Sequence, residues 1–206
     1  MKTDLSARVD AIVIGASAGG VEGLSLLLPA LPASMRAALF IVMHLPRDHR
    51  SMLSDLYAPH CAIAVKEAED KEPVRPATVY FAPPDYHLLL DDGPQIALSV
   101  DEPVHFSRPS IDVLFESAAD LYGQRLLGVI LTGASRDGAA GLAAVKAAGG
   151  LTAVQKPGDS YASQMANAAL SLGPADFVLP LPELVELFGS LATPAHAEPT
   201  LSGRSR

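Results

Sequence analysis

Three observations predict an α/β fold with a doubly wound, mostly parallel sheet, one antiparallel β-hairpin, and a Rossmann-like three-layer αβα arrangement. Short apolar runs such as Ala11-Ile12-Val13-Ile14, Ala38 to Met43 and Leu126 to Leu131 lack the alternation of a half-exposed strand, as expected for strands covered on both faces. Segments with helical apolar spacing separate these runs. Glycine, proline or small polar residues close each run, which is the punctuation of βα units.

Taken in order, the first strand runs from Val9 to Ile14 and the first helix from Gly20 to Leu28, closed near Pro29 and Pro32. Ala38 to Met43 forms the second strand, followed by His44-Leu45-Pro46-Arg47. A helix begins at Asp48 or Arg50-Ser51 and carries Met52, Leu53, Leu56 and Tyr57. Ala62 to Val65 is a short strand, and the charged piece Lys66 to Glu72 reads as a solvated loop. Thr78 to Ala82 is a strand ended by Pro83-Pro84-Asp85. His87 to Asp91 and Gln95 to Val100 flank Asp92-Gly93-Pro94 as a hairpin that mixes the sheet, with Pro94 ruling out a two-residue Asp-Gly turn. A long helix opens at Arg108-Pro109-Ser110-Ile111-Asp112, with Ser110 as N-cap. Leu126 to Leu131 is a strand, Ala139 to Ala148 a helix, Leu151 to Gln155 a strand and Ser160 to Leu170 a helix. Asp176 to Leu179 and Glu183 to Leu191 close the pattern, with Pro182 at the last helix start.

The chain has 206 residues, of which 49% are hydrophobic and 5% aromatic, so aliphatic side chains must fill the core. Residues 1–8 read as an N-terminal extension, 9–191 as one domain and 192–206 as a Pro-, Ala- and Ser-rich disordered tail. The formal net charge is −8, from 15 basic and 23 acidic residues, which argues against a nucleic-acid partner. Cys61 is the single cysteine and reads as a buried small hydrophobe; it excludes an internal disulfide. The N-terminal residues lack the apolar core of a signal peptide, and no apolar run reaches the ~20 residues needed to cross a bilayer. The expectation is a cytoplasmic protein that does not insert into membranes.

In doubly wound sheets, ligands bind beyond the carboxyl ends of the strands. Ser17 stands at the end of the first strand in Gly15-Ala16-Ser17-Ala18-Gly19-Gly20, His44 ends the second, and Asp137 follows the strand Leu126 to Leu131. Serine, histidine and carboxylate are the parts of a nucleophilic triad. Taken singly, each has a plainer reading. Ser17 is a structural or phosphate-binding turn, though without the lysine of a P-loop. His44 is a strand-end histidine with a local hydrogen bond, and Asp137 is an N-cap for the helix near Ala139. Their joint placement favours the triad. Arg108 reads as a structural anchor for a nearby carboxylate. His60, His87 and His105 have no metal-ligand spacing, so neither a metal nor a cofactor is expected.

The chain resembles a known family in several blocks: Gly15 to Gly20, Met43-His44-Leu45-Pro46, Val79-Tyr80-Phe81-Ala82-Pro83-Pro84-Asp85-Tyr86-His87, Arg108 to Phe115, and Leu131-Thr132-Gly133-Ala134-Ser135-Arg136-Asp137-Gly138-Ala139. These are similar to the catalytic domain of CheB, the protein-glutamate methylesterase of bacterial chemotaxis. The resemblance spans roughly residues 9 to 190. It implies hydrolysis of glutamate γ-methyl esters on methyl-accepting chemotaxis receptors, with receptor glutamines deamidated by some members. It also implies Ser17 as nucleophile, His44 as base, Asp137 as orienting carboxylate, and backbone N–H groups of Ala18 and Ala134 as oxyanion donors. Ala18 stands where the family usually has threonine, Met43 where it has glutamine, and Gly133-Ala134-Ser135 where it has Gly-Met-Gly. The Gly-Met-Pro that usually follows the Gln-containing strand is absent, with Gln164-Met165-Ala166-Asn167 near its place. The first strand begins by Val9, without the receiver domain through which phosphorylation controls well-known members. The expectation is therefore constitutive activity or control by a separate regulatory partner. The residues leave two other readings open: a serine hydrolase of the same fold with another ester or amide substrate, and a noncatalytic module that binds receptor or signalling proteins.

Overall fold

The structure, a computed structural model, describes residues 5–44, 52–159 and 161–192. Its elements are β1 (Ala11–Ala16), α1 (Gly20–Leu27), β2 (Ala38–Met43), α2 (Leu53–Tyr57), β3 (Ala64–Glu67), β4 (Thr78–Phe81), β5 (His87–Asp91), β6 (Gln95–Ser99), α3 (Ile111–Tyr122), β7 (Leu126–Ile130), α4 (Ala139–Ala147), β8 (Leu151–Gln155), α5 (Gln164–Ser171), β9 (Phe177–Leu179) and α6 (Leu181–Gly189). Seven strands form one sheet in the order β3-β4-β2-β1-β7-β8-β9, and every pairing in it is parallel. The order reverses between β1 and β7, so the crevice of a doubly wound fold opens there.

Burial on both faces explains the apolar runs. Ile12, Ile14, Leu39, Ile41, Leu127 and Val129 pack on one face with Leu24 and Leu27 of α1, Leu53 and Tyr57 of α2, and Leu184 and Phe188 of α6. Ala11, Val13, Phe40, Val42 and Ile130 point to the other face. There they meet Leu114, Phe115 and Ala118 of α3, Leu142 and Val145 of α4, and Met165, Ala166 and Ala169 of α5. Burying one such Leu, Ile or Phe side chain contributes about 1.5–3 kcal/mol. Leu5 is buried in the first of these clusters, so part of the 1–8 segment lies against the core.

Four local expectations are corrected. The hairpin β5–β6 forms a separate two-stranded sheet, so the main sheet is not mixed. Leu88, Leu90 and Ile96 bury one of its faces in the α3 side of the core, and Ser117 of α3 accepts the Leu90 N–H at 3.1 Å. Its loop is Asp92-Gly93-Pro94, closed by the pair Asp91 and Gln95. Lys66 and Glu67 belong to edge strand β3 rather than to a loop. Their charges suit an edge that must not pair further, and Lys66 binds Glu69 and Glu72. The helix expected from Ser160 begins at Gln164, because Ala162 is tied to the loop after β7: its N–H bonds Thr132 Oγ1 at 2.9 Å and its C=O accepts Gly133 N–H at 3.0 Å. Ser110 makes no side-chain cap to α3, for the reason given below. The expected helix start at Asp48 or Arg50-Ser51, the Leu45-Pro46-Arg47 segment, Ser160 and the tail from residue 193 lie outside the described residues.

Two helices converge on the β1–β7 crevice because glycines let them. A Cβ on Gly15 would stand 2.4 Å from Ile111 Cγ2, and one on Gly141 would stand 2.6 Å from Phe115 Cβ and 3.0 Å from Asp112 Cα. The first turn of α3 thus seats directly on β1, and α4 crosses it at backbone distance. Ile111 is fully buried and cannot swing away. Gly15→Ala is expected to lower the unfolding free energy by about 1–3 kcal/mol through overpacking, measured by urea denaturation against wild type.

Candidate active site

β1 and β2 pair with Ala16 opposite Met43, so Ser17 and His44 leave the sheet side by side. The His44 N–H is donated to Ala16 C=O at 3.1 Å, and the Ser17 N–H to Thr132 C=O at 3.0 Å. After Ser17 the chain turns sharply. Gly20 N–H bonds Ser17 C=O at 2.8 Å, and Gly19 takes φ 82°, ψ −2°. That is the third position of a type II turn, which favours glycine. Thr132, almost fully buried, stitches the loops around the serine. Its Oγ1 accepts Ala162 N–H and lies 2.9 Å from Ala18 C=O and 3.1 Å from Ala162 C=O. Gly133 faces Ser17 with no side chain, and a Cβ there would stand 3.0 Å from Ser17 Cβ.

Asp137 is fully buried and receives four donors. Oδ2 lies 2.9 Å from His44 Nε2 and accepts Ile111 N–H at 2.7 Å. Oδ1 accepts the Ser110 hydroxyl at 2.8 Å and Asp112 N–H at 3.0 Å. Ser135 Oγ accepts the Asp137 N–H at 3.0 Å, which fixes the local turn. Burial alone raises the Asp137 carboxyl, but His44, the N–H groups of Asp112 and Ile111, and Ser110 outweigh it and hold it below its usual value. The N-terminal partial charge of α3 acts in the same direction.

The caps of α3 and α4 are exchanged. Asp137 does not cap α4, whose N-cap is Gly138 at φ 96°; it caps α3. Asp112, in the first turn of α3, caps α4 instead, accepting Gly138 N–H at 2.9 Å and Gly141 N–H at 2.6 Å. Its other oxygen lies 3.3 Å from His105 Nε2. Burial pushes the Asp112 carboxyl up, and the neighbouring Asp137 charge adds to this against the pull of Gly141, His105 and Gly138.

The structure therefore brings His44 and Asp137 into direct contact and sets Ser17 on the adjacent strand end. The Ser17 hydroxyl makes no hydrogen bond among the described residues, His44 included. The N–H groups of Ala18 and Ala134 are likewise not donated to a described residue, unlike Gly133 N–H, which Ala162 takes. With His44 Nε2 turned to Asp137, Nδ1 is the ring nitrogen left to face a hydroxyl. Arg108 holds Asp85 at 2.9 Å, as its structural reading expects, and also bonds the carbonyls of Val100 and Asp101. Among the described residues no group of His, Cys, Asp or Glu is arranged to hold a metal. None of the described helices is long and apolar enough to cross a membrane.

A family model described as CheB methylesterase matches residues 12–188. The chain belongs to the CheB methylesterase family. It is 44% identical over 179 residues to a protein of Leptospira interrogans named as a putative protein-glutamate methylesterase/protein-glutamine glutaminase, covering 87% of this chain and 93% of that one. It is 42% identical over 179 residues to an Anaeromyxobacter dehalogenans protein-glutamate methylesterase/protein-glutamine glutaminase, of which it spans 52%. The crystal structure of the Thermotoga maritima CheB methylesterase catalytic domain superposes with a TM-score of 0.81 at 33% identity, covering 87% of this chain and 98% of that one. Within this CheB domain, the sequence singles out Ser17, His44, Asp137, Ala18 and Ala134. It misses what surrounds Asp137: Ser110, His87 and Asp112 lie in two of the blocks that carry the resemblance, yet spacing does not link residues that far apart in the chain to Asp137.

Two outcomes test this geometry. Asp112→Asn keeps an acceptor for the buried N–H groups of Gly138 and Gly141, whereas Asp112→Ala leaves both unpaired. The alanine variant is expected to be less stable than the asparagine variant by about 1–2 kcal/mol in urea unfolding. The second outcome concerns pH. The folded pKa of Asp137 is depressed, so its contribution is complete above the unfolded value and is lost as pH falls through the folded one. The stability gap between wild type and Asp137→Asn should therefore shrink as pH falls below about 4, followed by denaturant unfolding at several pH values.

Proposed function

We propose that this chain is a serine esterase that removes methyl groups from glutamate γ-methyl esters on the cytoplasmic helices of methyl-accepting chemotaxis receptors, and that it works in the cytoplasm without a metal or cofactor. The observation that carries this reading is the His44–Asp137 hydrogen bond at the mouth of the β1–β7 crevice, one strand from Ser17. Membership of the CheB family and relatives named as methylesterases supply the substrate class.

The chemistry follows from the positions. Ser17 Oγ attacks the ester carbonyl carbon as its proton passes to His44 Nδ1. Asp137 holds the ring through Nε2 and balances the imidazolium charge. The N–H groups of Ala18 and Ala134, neither donated to a described residue, take the tetrahedral oxyanion; both are supplied by backbone, so alanine at these positions does not remove them. The C–OCH3 bond breaks, His44 returns its proton to the leaving oxygen, and methanol departs. Water then attacks the acyl-enzyme, gives a proton to His44 and releases glutamate and free Ser17. Glutamine in place of the ester runs the same steps with ammonia as leaving group. A docking module without chemistry has no use for a buried carboxylate that spends one of its four bonds on a histidine at the surface of the crevice, its side chain 15% exposed, which favours the esterase.

Ser17→Ala is expected to abolish methanol release from methylated receptor, with an unfolding midpoint close to wild type. Retention of wild-type turnover would refute the mechanism.

A further inference from the structure

His87, at the start of β5, is 1% exposed and Ser110 is fully buried, and neither is in line to touch a substrate. Ser110 N–H points at His87 Nδ1 at 3.1 Å. A backbone N–H can only donate, so Nδ1 carries no proton and the ring is neutral with its hydrogen on Nε2. That hydrogen faces Glu102 C=O at 3.2 Å. On the other side of the same residue, the Ser110 hydroxyl donates to Asp137 Oδ1 at 2.8 Å. A run of hydrogen bonds thus links Glu102, His87, Ser110, Asp137 and His44, with Ser110 donating on both sides.

The hydroxyl is misplaced for a merely structural role. A serine at the start of a helix ordinarily bonds an N–H of its own first turn. Here the first two of those N–H groups, of Ile111 and Asp112, already go to Asp137, and the hydroxyl makes no cap to α3. The hydroxyl follows them to the same carboxylate, so what it adds falls on Asp137 rather than on α3. Without it, Oδ1 keeps a single donor, while Oδ2 remains shared between Ile111 and His44. The carboxylate is then freer to rotate away from the imidazole.

We infer that Ser110 and His87 are positioning residues for the hydrolysis: His87 anchors the Ser110 peptide, and the Ser110 hydroxyl locks the carboxylate of Asp137 with Oδ2 toward His44. This rests on the triad reading above.

The test uses the full chain with four substitutions, Ser110→Ala, Ser110→Thr, His87→Asn and His87→Gln. The readouts are methanol release from methylated receptor, the rate of Ser17 labelling by a fluorophosphonate, and unfolding. Loss of one charge-assisted hydrogen bond felt in the transition state corresponds to roughly 10–100-fold in rate. Ser110→Ala should lose that factor in kcat and in labelling, with KM within about twofold. Ser110→Thr, which keeps the hydroxyl, should recover most of the rate. His87→Asn places an acceptor where Nδ1 stood and should outperform His87→Gln, which keeps only a donor toward Glu102. This pair decides the matter if the Ser110 variants do not fold. Wild-type labelling in Ser110→Ala, a loss confined to KM, no recovery in Ser110→Thr, or equal rates in the two His87 variants would overturn the inference while leaving the triad intact. If wild type itself shows no Ser17-dependent labelling, the triad reading fails and this inference fails with it.

Discussion

The exchange of caps between α3 and α4 is the constraint on which the rest of the site depends. Asp137, at the entrance to α4, closes the N-terminus of α3, and Asp112, in the first turn of α3, closes the N-terminus of α4. Two buried carboxylates so close together carry a desolvation penalty and repel each other. Each is offset by backbone N–H groups and by the positive end of the helix it caps. Breaking either cap would leave buried donors unpaired and a buried charge uncompensated, so neither helix can shift without the other.

Placement of the proposed triad follows from this lock. Asp137 is held by two helix N–H groups and the Ser110 hydroxyl before His44 meets it, so the histidine finds a carboxylate of fixed orientation. Preorganisation of this kind avoids reorganisation at the moment of reaction. Ser17 is built differently. It sits on a glycine turn whose walls, Gly133 and Thr132, come from the loop after β7. Its hydroxyl has no partner among the described residues, and serine–histidine bonds in unliganded sites are often long and tighten only with substrate.

Much of the fold was legible because each central strand had to be apolar on two faces and the βα turns carry glycine or proline. The edge at Lys66 and Glu67 was not, because a charged edge strand and a solvated loop look alike in composition. The start of α5 was misplaced by several residues because Ala162 bonds Thr132 and Gly133, and a tertiary contact overrode local helix preference. For the proposed site, Ser17 and His44 stand out because each follows directly on an apolar run, and Asp137 because it is the carboxylate in the loop after the strand Leu126 to Leu131. Ser110, and Asp137 in its plainer reading, were assigned to caps of the helix that follows each in the chain, which is what a local rule gives. The true partners lie more than twenty residues away.

What the amino-acid order determined by itself was the set of strand ends and the residue types placed on them, since periodicity and turn chemistry act over a few neighbours. Which helix each aspartate caps was decided only by the tertiary structure. Ser110 bonds Asp137, and His87 faces Ser110, for the same reason. Those pairings require two helix N-termini to meet over β1, and that meeting depends on the absence of a Cβ at Gly15 and Gly141 rather than on any local preference of the residues that pair.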